Sequence, residues 1–477
     1  MQKNQFTRRF ATGQTDRKGR KWPMVLAFLL LILGACSSDG DTDAGAEPDT
    51  EADVEAEDDS EDEDSTDVEE SDDEAEEATT DEAVELTFLT FETPALGVEF
   101  WDASIGAALD SVEGVEIERL ITPDADRTGY AKQLQSSGQF PDLLSSIDAK
   151  EFTDAGLLEP FDQDWLNENF IIPDASTIDG ETYIPPTNAQ ILPLVYYNKT
   201  IFEENDIALP TTWDEFLTTV GELKAAGVVP IEMAGLEAWS ASMPIVALAS
   251  ADVLGQDADW VSKRYAGDVA FGDEAFVAAM QKHRDLIELG AYSDNALSTD
   301  FPTANANFLA GDSGMYIMGS WFTGTGYMAL DIAETFGAFP LPTDDGSLVV
   351  PFNVGGTTSV SAASDHVDKA LEFAKAWSVA PASMAILVQE DGAIPLMKGV
   401  SVSDFDVTVS SLYNEIFDLA LDEDNTKVSA FGWVGNEDSL APGIADLFYV
   451  LAQSLFENDD IESQLIQLDT DWDAAVG

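Results

Sequence analysis

Tyr197-Asn198-Lys199-Thr200-Ile201-Phe202 is followed, after a short connection, by Thr211-Thr212-Trp213-Asp214-Glu215-Phe216. Thr212 and Glu215 have the spacing of a capping box. A threonine hydroxyl accepts from the backbone N–H three residues on, and the glutamate carboxylate reaches back to the cap. Behind it, Trp213, Phe216, Leu217, Val220 and Leu223 recur on one helical face, so an amphipathic helix starts here and packs against a core.

Outward from that helix the pattern is α/β. Val84 to Phe91 alternates as a strand, and 114 to 121 is a second strand after a helical stretch, which predicts a βαβ unit and a parallel sheet. Asp142-Leu143-Leu144 reads as a short third strand. Helical periodicity recurs near 239–253, 274–289, 366–378, 402–420, 443–456 and 460–474, with strands at 314–318 and 357–361. No internal repeat is present. The part from 84 to 477 exceeds what one core normally serves, so two lobes are expected.

The N-terminus specifies an address. The apolar run from Trp22 to Ala35 is too short to span a bilayer and follows Arg17, Lys18, Arg20 and Lys21, as in a signal peptide. It ends in Leu33-Gly34-Ala35-Cys36, which resembles the lipobox of bacterial lipoproteins. That implies cleavage before Cys36 and a lipid on its thiol, with residues 1–36 as the signal segment; an ordinary signal with a chance cysteine is the alternative. Arg8-Arg9-Phe10 leaves the export route open between the general and twin-arginine systems. Cys36 is the only cysteine, so no internal disulfide exists.

Residues 37–83 hold 25 Asp or Glu and no Lys or Arg. Such a segment buries too little apolar surface to offset its chain entropy, and it is expected to be a disordered tether reaching roughly 40 Å as a coil. Residues 84–477 carry 66 acidic and 14 basic residues, a formal charge of −52. Nucleic acid and anionic membrane surfaces are poor partners for that body, because phosphate binding needs clustered Lys and Arg. A saline habitat would explain the bias.

The enzyme motifs fail one by one. Gly324-Thr325-Gly326-Tyr327-Met328-Ala329 mimics a dinucleotide fingerprint, but it follows Trp321-Phe322 and no acidic ribose partner ends a neat βαβ unit, so it reads better as a flexible glycine turn. Asp124-Ala125-Asp126-Arg127-Thr128-Gly129 begins like a calcium loop but has Gln135 where a bidentate glutamate is required. His283 and His366 are the only histidines; both fall on polar helix faces, which leaves no histidine metal site or Ser-His-Asp triad. No cofactor or metal is expected. The surplus is aromatic: ten Trp, among them Trp239, Trp321 and Trp433 at loop positions, and an indole face is suited to stacking on a sugar ring.

The segments 197–202 and 211–216 resemble the YNK-x-x-F and T-W-D-E-F signature of family 1 extracellular solute-binding proteins, the maltose-binding-protein-like receptors of ABC importers. Further matches follow in order: Pro141-Asp142, Ala155-Gly156-Leu157-Leu158, Ile178-Asp179-Gly180 with Tyr183 and Pro186, Gly314 to Trp321, Gly355-Gly356, and Gly392-Ala393-Ile394-Pro395. The resemblance spans nearly all of 84–477. It implies a two-lobed periplasmic-binding-protein fold with three hinge crossings, near 193–196, 350–353 and 393–395. Lobe one would be 84–193 plus 351–394, and lobe two 195–349 plus 396–477.

The same resemblance implies a monomeric receptor that closes over its ligand and delivers it to permease subunits, held at the outer face of the cytoplasmic membrane by lipid on Cys36. It is not expected to be an enzyme. Carried over residue by residue, Trp321 is the stacking position, with Trp239 and Trp433 as further aromatics. From lobe one, Glu92, Thr93, Ser145, Ser146 and Asp148 would face the cleft, and Asn188, Gln190, Asn353 and Gly356 would reach it near the crossings. The turn 91–96 lacks the Trp or His common in sugar-specific relatives. Three ligand readings therefore stand: a mono- or oligosaccharide, a polyamine or other small cation held in an aromatic and acidic box, or a glycoside hydrolase using two cleft carboxylates.

Overall fold

The computed structural model describes residues 83–477, apart from Pro94, Asp124, Ala125, Gly356, Thr357 and Glu423. The signal segment, Cys36, the acidic stretch to residue 82, the first half of the calcium-like loop and the expected site residue Gly356 lie outside the described residues.

Val84–Thr90 pairs in parallel with Val115–Ile121 on one side and Leu143–Leu144 on the other, with helix Val98–Leu109 as the crossover. Ser359–Ser361 and then Leu158–Glu159 extend this sheet in antiparallel sense to five strands. Alternation sorts the side chains. Leu86, Phe88 and Leu143 enter one apolar cluster with Trp101, Phe373 and Trp377, whereas Leu89 and Leu144 enter another with Phe152 and Ile178. The sheet is thus covered on both faces, as parallel sheets require.

A second sheet runs Phe336–Phe339, Leu194–Asn198, Ser313–Met318, Val229–Glu232, the last pair parallel and the others antiparallel. All of Ser313–Met318 is buried. Helix Trp213–Ala225 covers this region with Trp213, Phe216, Val220 and Leu223 buried and Leu217 partly so. Its cap differs slightly from expectation. Thr212 accepts from Glu215 N, but the Glu215 carboxylate accepts from Thr211 N (2.8 Å) and Thr211 Oγ1 (2.7 Å), one residue early, because Thr211 offers two donors.

A third sheet gathers Ile394–Pro395, Asn188–Ile191, Val349–Gly355 and Thr426–Ser429. Two expected crossing segments, 350–353 and 393–395, fall on strands flanking Asn188–Ile191. The chain leaves that strand for the second sheet through Leu192 and Pro193. The first sheet draws its strands from 84–159 and 359–361, the second from 194–339.

Three expectations are corrected. The helix read over 402–420 is a 3₁₀ turn, Val402–Asp404, and a separate helix, Ser411–Leu421, because Ser410 caps a new start by accepting from Tyr413 N. His283 does not lie on a polar face; it is buried, with Nδ1 3.3 Å from Tyr292 Oη and Nε2 3.3 Å from the Ala452 carbonyl, since helix Ile444–Ser454 covers that side. Gly324-Thr325-Gly326 is no flexible turn. Thr325 N donates to the Gln389 carbonyl (2.8 Å), and a Cβ on Gly324 or Gly326 would meet Glu390 O at 2.1 Å or Ala95 Cβ at 2.4 Å, so two backbones touch directly. Among the described residues, no single helix is long and apolar enough to cross a membrane.

Candidate functional site

The carboxyl ends of the parallel strands are where open α/β sheets present ligand contacts. Here those ends lead into 91–93, 122–123 and 145–148. Arg127 opens helix Arg127–Ser136, and its guanidinium lies 4.2 Å from the Phe91 ring centroid. Burial draws its pKa down to about 10, with Tyr449, Asp126, Asp391 and Tyr327 as the charged or titratable groups around it.

The opposing wall is aromatic. Trp239 lies on the short helix Ala238–Ala241, Trp321 in the turn Ser320–Thr323 just past Ser313–Met318, and Trp433 in the loop after Thr426–Ser429. The three rings converge: Trp239 to Trp321 is 6.4 Å, Trp239 to Trp433 6.2 Å, and Trp321 to Trp433 6.1 Å between centroids. Phe301 abuts Trp239 at 5.0 Å and Tyr449 abuts Trp433 at 5.5 Å. Each indole is only partly buried. Gly319 permits this arrangement, since the Trp321 ring folds back over it and a Cβ would sit 2.2 Å from the ring.

Tyr327 links the two walls, and polar groups flank that contact. Tyr327 Oη donates to Thr93 Oγ1 (3.0 Å), and Phe301 reaches Tyr327 at 5.8 Å. Gln190 Nε2 donates to Asp391 Oδ2 (3.2 Å); burial raises the Asp391 carboxyl to about 7, with Gln190 and Arg127 pulling the other way. Asp148 is raised to about 7 by burial and by Glu151, while its Oδ1 accepts from Lys150 N.

The expected site residues thus separate into groups. Trp239, Trp321 and Trp433 come together, and Thr93 joins the network through Tyr327. Glu92 turns outward to Arg119 at 3.4 Å. Ser146 is partly buried in a left-handed turn at φ 51°, and the Ser145 hydroxyl is buried without a hydrogen-bond partner among the described residues. Asn188 and Asn353 lie partly buried on adjacent strands of the third sheet, and Gln190 is engaged with Asp391. Sequence reasoning missed Arg127, Tyr327, Asp391 and Tyr449, and also Glu237, whose buried Oε2 has no hydrogen-bond partner among the described residues and which stands two residues before Trp239. The available signal for Arg127 was its place just past the second parallel strand.

Two α/β sheets, a strand-built connection and an aromatic cluster define a two-lobed binding-protein architecture. Solved structures agree. A chitin oligosaccharide binding protein superposes with TM-score 0.71 at 21% identity, covering 83% of this chain and 99% of that one. The raffinose complex of the solute-binding protein RafE gives 0.63 at 21% identity, covering 83% and 100%. At that identity the likeness establishes the fold. The profile of bacterial extracellular solute-binding proteins matches residues 121–382, and the chain belongs to that family. Among curated relatives, an uncharacterized ABC transporter extracellular-binding protein of Pyrococcus horikoshii is 27% identical over 240 residues, covering 49% of this chain and 52% of the relative. The multiple sugar-binding protein of Streptococcus mutans is 29% identical over 139 residues, covering 26% and 31%. The chain spans about half the length, or less, of these two relatives.

Proposed function

We propose that this protein is the substrate-binding component of an ABC importer and that it closes two lobes over a saccharide. The observation that carries the reading is the convergence of Trp239, Trp321 and Trp433 opposite the carboxyl ends of a parallel sheet. Aromatic faces supply area and orientation to a sugar ring, while a few polar groups set specificity. Relatives named for sugar binding and solved neighbours bound to raffinose or stachyose support it. No bond is broken; ligand contacts with both lobes stabilise the closed state.

In this reading lobe one comprises 84–193 with 351–394, lobe two comprises 195–349 with 396–477, and the third sheet is the hinge. Export, lipid on Cys36 and the acidic tether keep the receptor beside its permease, and the receptor acts as a monomer. Titrating intrinsic fluorescence with saccharides and, separately, with polyamines tests the proposal. Emission from the indole cluster shifts with saccharide only; a response confined to polyamines, or release of product from a chromogenic glycoside, would remove it. Replacing Cys36→Ser should release from the membrane a protein that still binds ligand.

A further inference from the structure

Residues 84–477 contain only fourteen Lys and Arg against 66 acids. Twelve of the fourteen reach a carboxylate or a backbone carbonyl, among them Arg119 with Glu92, Lys132 with Glu151 and Arg264 with Asp473. Lys375 lies over the Trp165 ring. Arg127 stands apart: among the described residues no oxygen lies within ion-pair or hydrogen-bond distance of its guanidinium, whose one close partner is the Phe91 ring.

Its acidic neighbours are engaged elsewhere. Asp126 caps its own helix by accepting from Gly129 N, and Asp391 accepts from Gln190. A guanidinium stacked on an aromatic face keeps its in-plane N–H donors free at the edge, in a fork that matches a carboxylate. Here that fork lies past the carboxyl end of a parallel strand, with Tyr327 and Tyr449 of the aromatic wall as neighbours. Arg127 is partly buried, and although Asp126 and Asp391 lie near enough to act on its charge, neither pairs with it; stripping the remaining water from such a guanidinium is costly unless an oxygen replaces it. A neutral hydroxyl would accept a hydrogen bond but leave the charge uncompensated as the lobes close.

We infer that Arg127 anchors a carboxylate of the ligand, so that the cargo is an acidic saccharide carrying a uronate residue. This rests on the saccharide-receptor reading above and narrows it.

Calorimetry on the purified protein decides it with matched pairs: trigalacturonate against galactotriose, and glucuronyl-xylotriose against xylotriose. In at least one pair the acidic member should bind about 10- to 100-fold tighter, the range of a hydrogen-bonded charge pair. R127Q should abolish that preference and R127K retain part of it, with thermal midpoints matching the wild type. Neutral members binding as tightly as acidic ones in both pairs would overturn the inference while leaving a saccharide receptor standing. So would an R127Q variant that weakens both members equally. Failure of every saccharide to bind would overturn both readings.

Discussion

Trp321 and Trp433 hold their rings 6.1 Å apart with 35° between planes, and the Trp433 indole nitrogen is buried without a hydrogen-bond partner among the described residues. A buried donor left unpaired costs about 1 to 3 kcal/mol unless something accepts from it. A ligand oxygen would satisfy it. Trp433→Phe keeps much of the ring and removes the donor, so saccharide affinity should fall by about 1 to 2 kcal/mol while the unliganded protein, relieved of an unpaired buried donor, unfolds no lower than the wild type. Trp321→Ala removes a stacking face and should weaken binding by about 1 to 3 kcal/mol. Unchanged affinity in both variants would take the cluster out of the site.

Glu151 joins parts of the chain far apart in sequence. Its Oε1 accepts from Gly443 N (2.6 Å), ahead of helix Ile444–Ser454, and its Oε2 meets Lys132 Nζ at 2.6 Å. A carboxylate at a helix N-terminus is favourable through both the hydrogen bond and the helix dipole. Glu151→Ala should lower stability by about 1 to 2 kcal/mol, and Glu151→Gln by less, in urea unfolding. A midpoint unchanged in the alanine variant would show the contact to be incidental.

Burial lowers the pKa of His283 to about 4, whereas the unfolded chain titrates near 6.5. The unfolded state therefore binds more protons between those values, so the His283 contribution is complete above about pH 6.5 and is lost as pH falls toward 4. The loss reaches about 3 kcal/mol. Asp148 and Asp391, raised to about 7, act with the opposite sign, adding stability at low pH that fades as pH rises toward 7. The stability gap between wild type and His283→Gln isolates the histidine term: it should be largest near pH 7 and shrink toward pH 4.5. A gap independent of pH would contradict the buried neutral imidazole.

Gly326→Ala places a methyl 2.4 Å from Ala95 Cβ, and backbone on both sides limits relaxation. Overpacking of this kind costs about 1 to 3 kcal/mol, which differential scanning calorimetry would register. A neutral effect would mean that the contact between the 324–326 turn and the Ala95 segment is loose.

With −52 formal charges on 84–477, self-repulsion destabilises the compact state, and the Debye length falls from about 10 Å at 0.1 M salt to about 3 Å at 1 M. The thermal midpoint should climb with potassium chloride over that range. A flat or falling midpoint would show that the acidic surface is dispersed enough to need no screening.

Elements stabilised by neighbours in sequence were legible directly. The 274–289 periodicity emerged as helix Glu274–Leu289 with its bounds intact, and Val84 to Phe91 emerged as the parallel strand its alternation describes. The 402–420 pattern overran because Ser410 offers a competing cap, a choice between two local starts that packing resolved. His283 shows the limit of periodicity, since a helix wheel assigns a face but cannot show that Ile444–Ser454 will cover it. Residue types and spacing thus determined the α/β class, the leading strands of the first sheet, several of the helices and the candidate indoles, because these depend on contacts within a few residues. Only the tertiary structure decided that Trp239, Trp321 and Trp433 share one wall, that Glu92 turns outward, and that Arg127 lies on the Phe91 ring with no oxygen within pairing distance among the described residues. Distances between segments hundreds of residues apart, and the burial that accompanies them, are set by how the sheets pack.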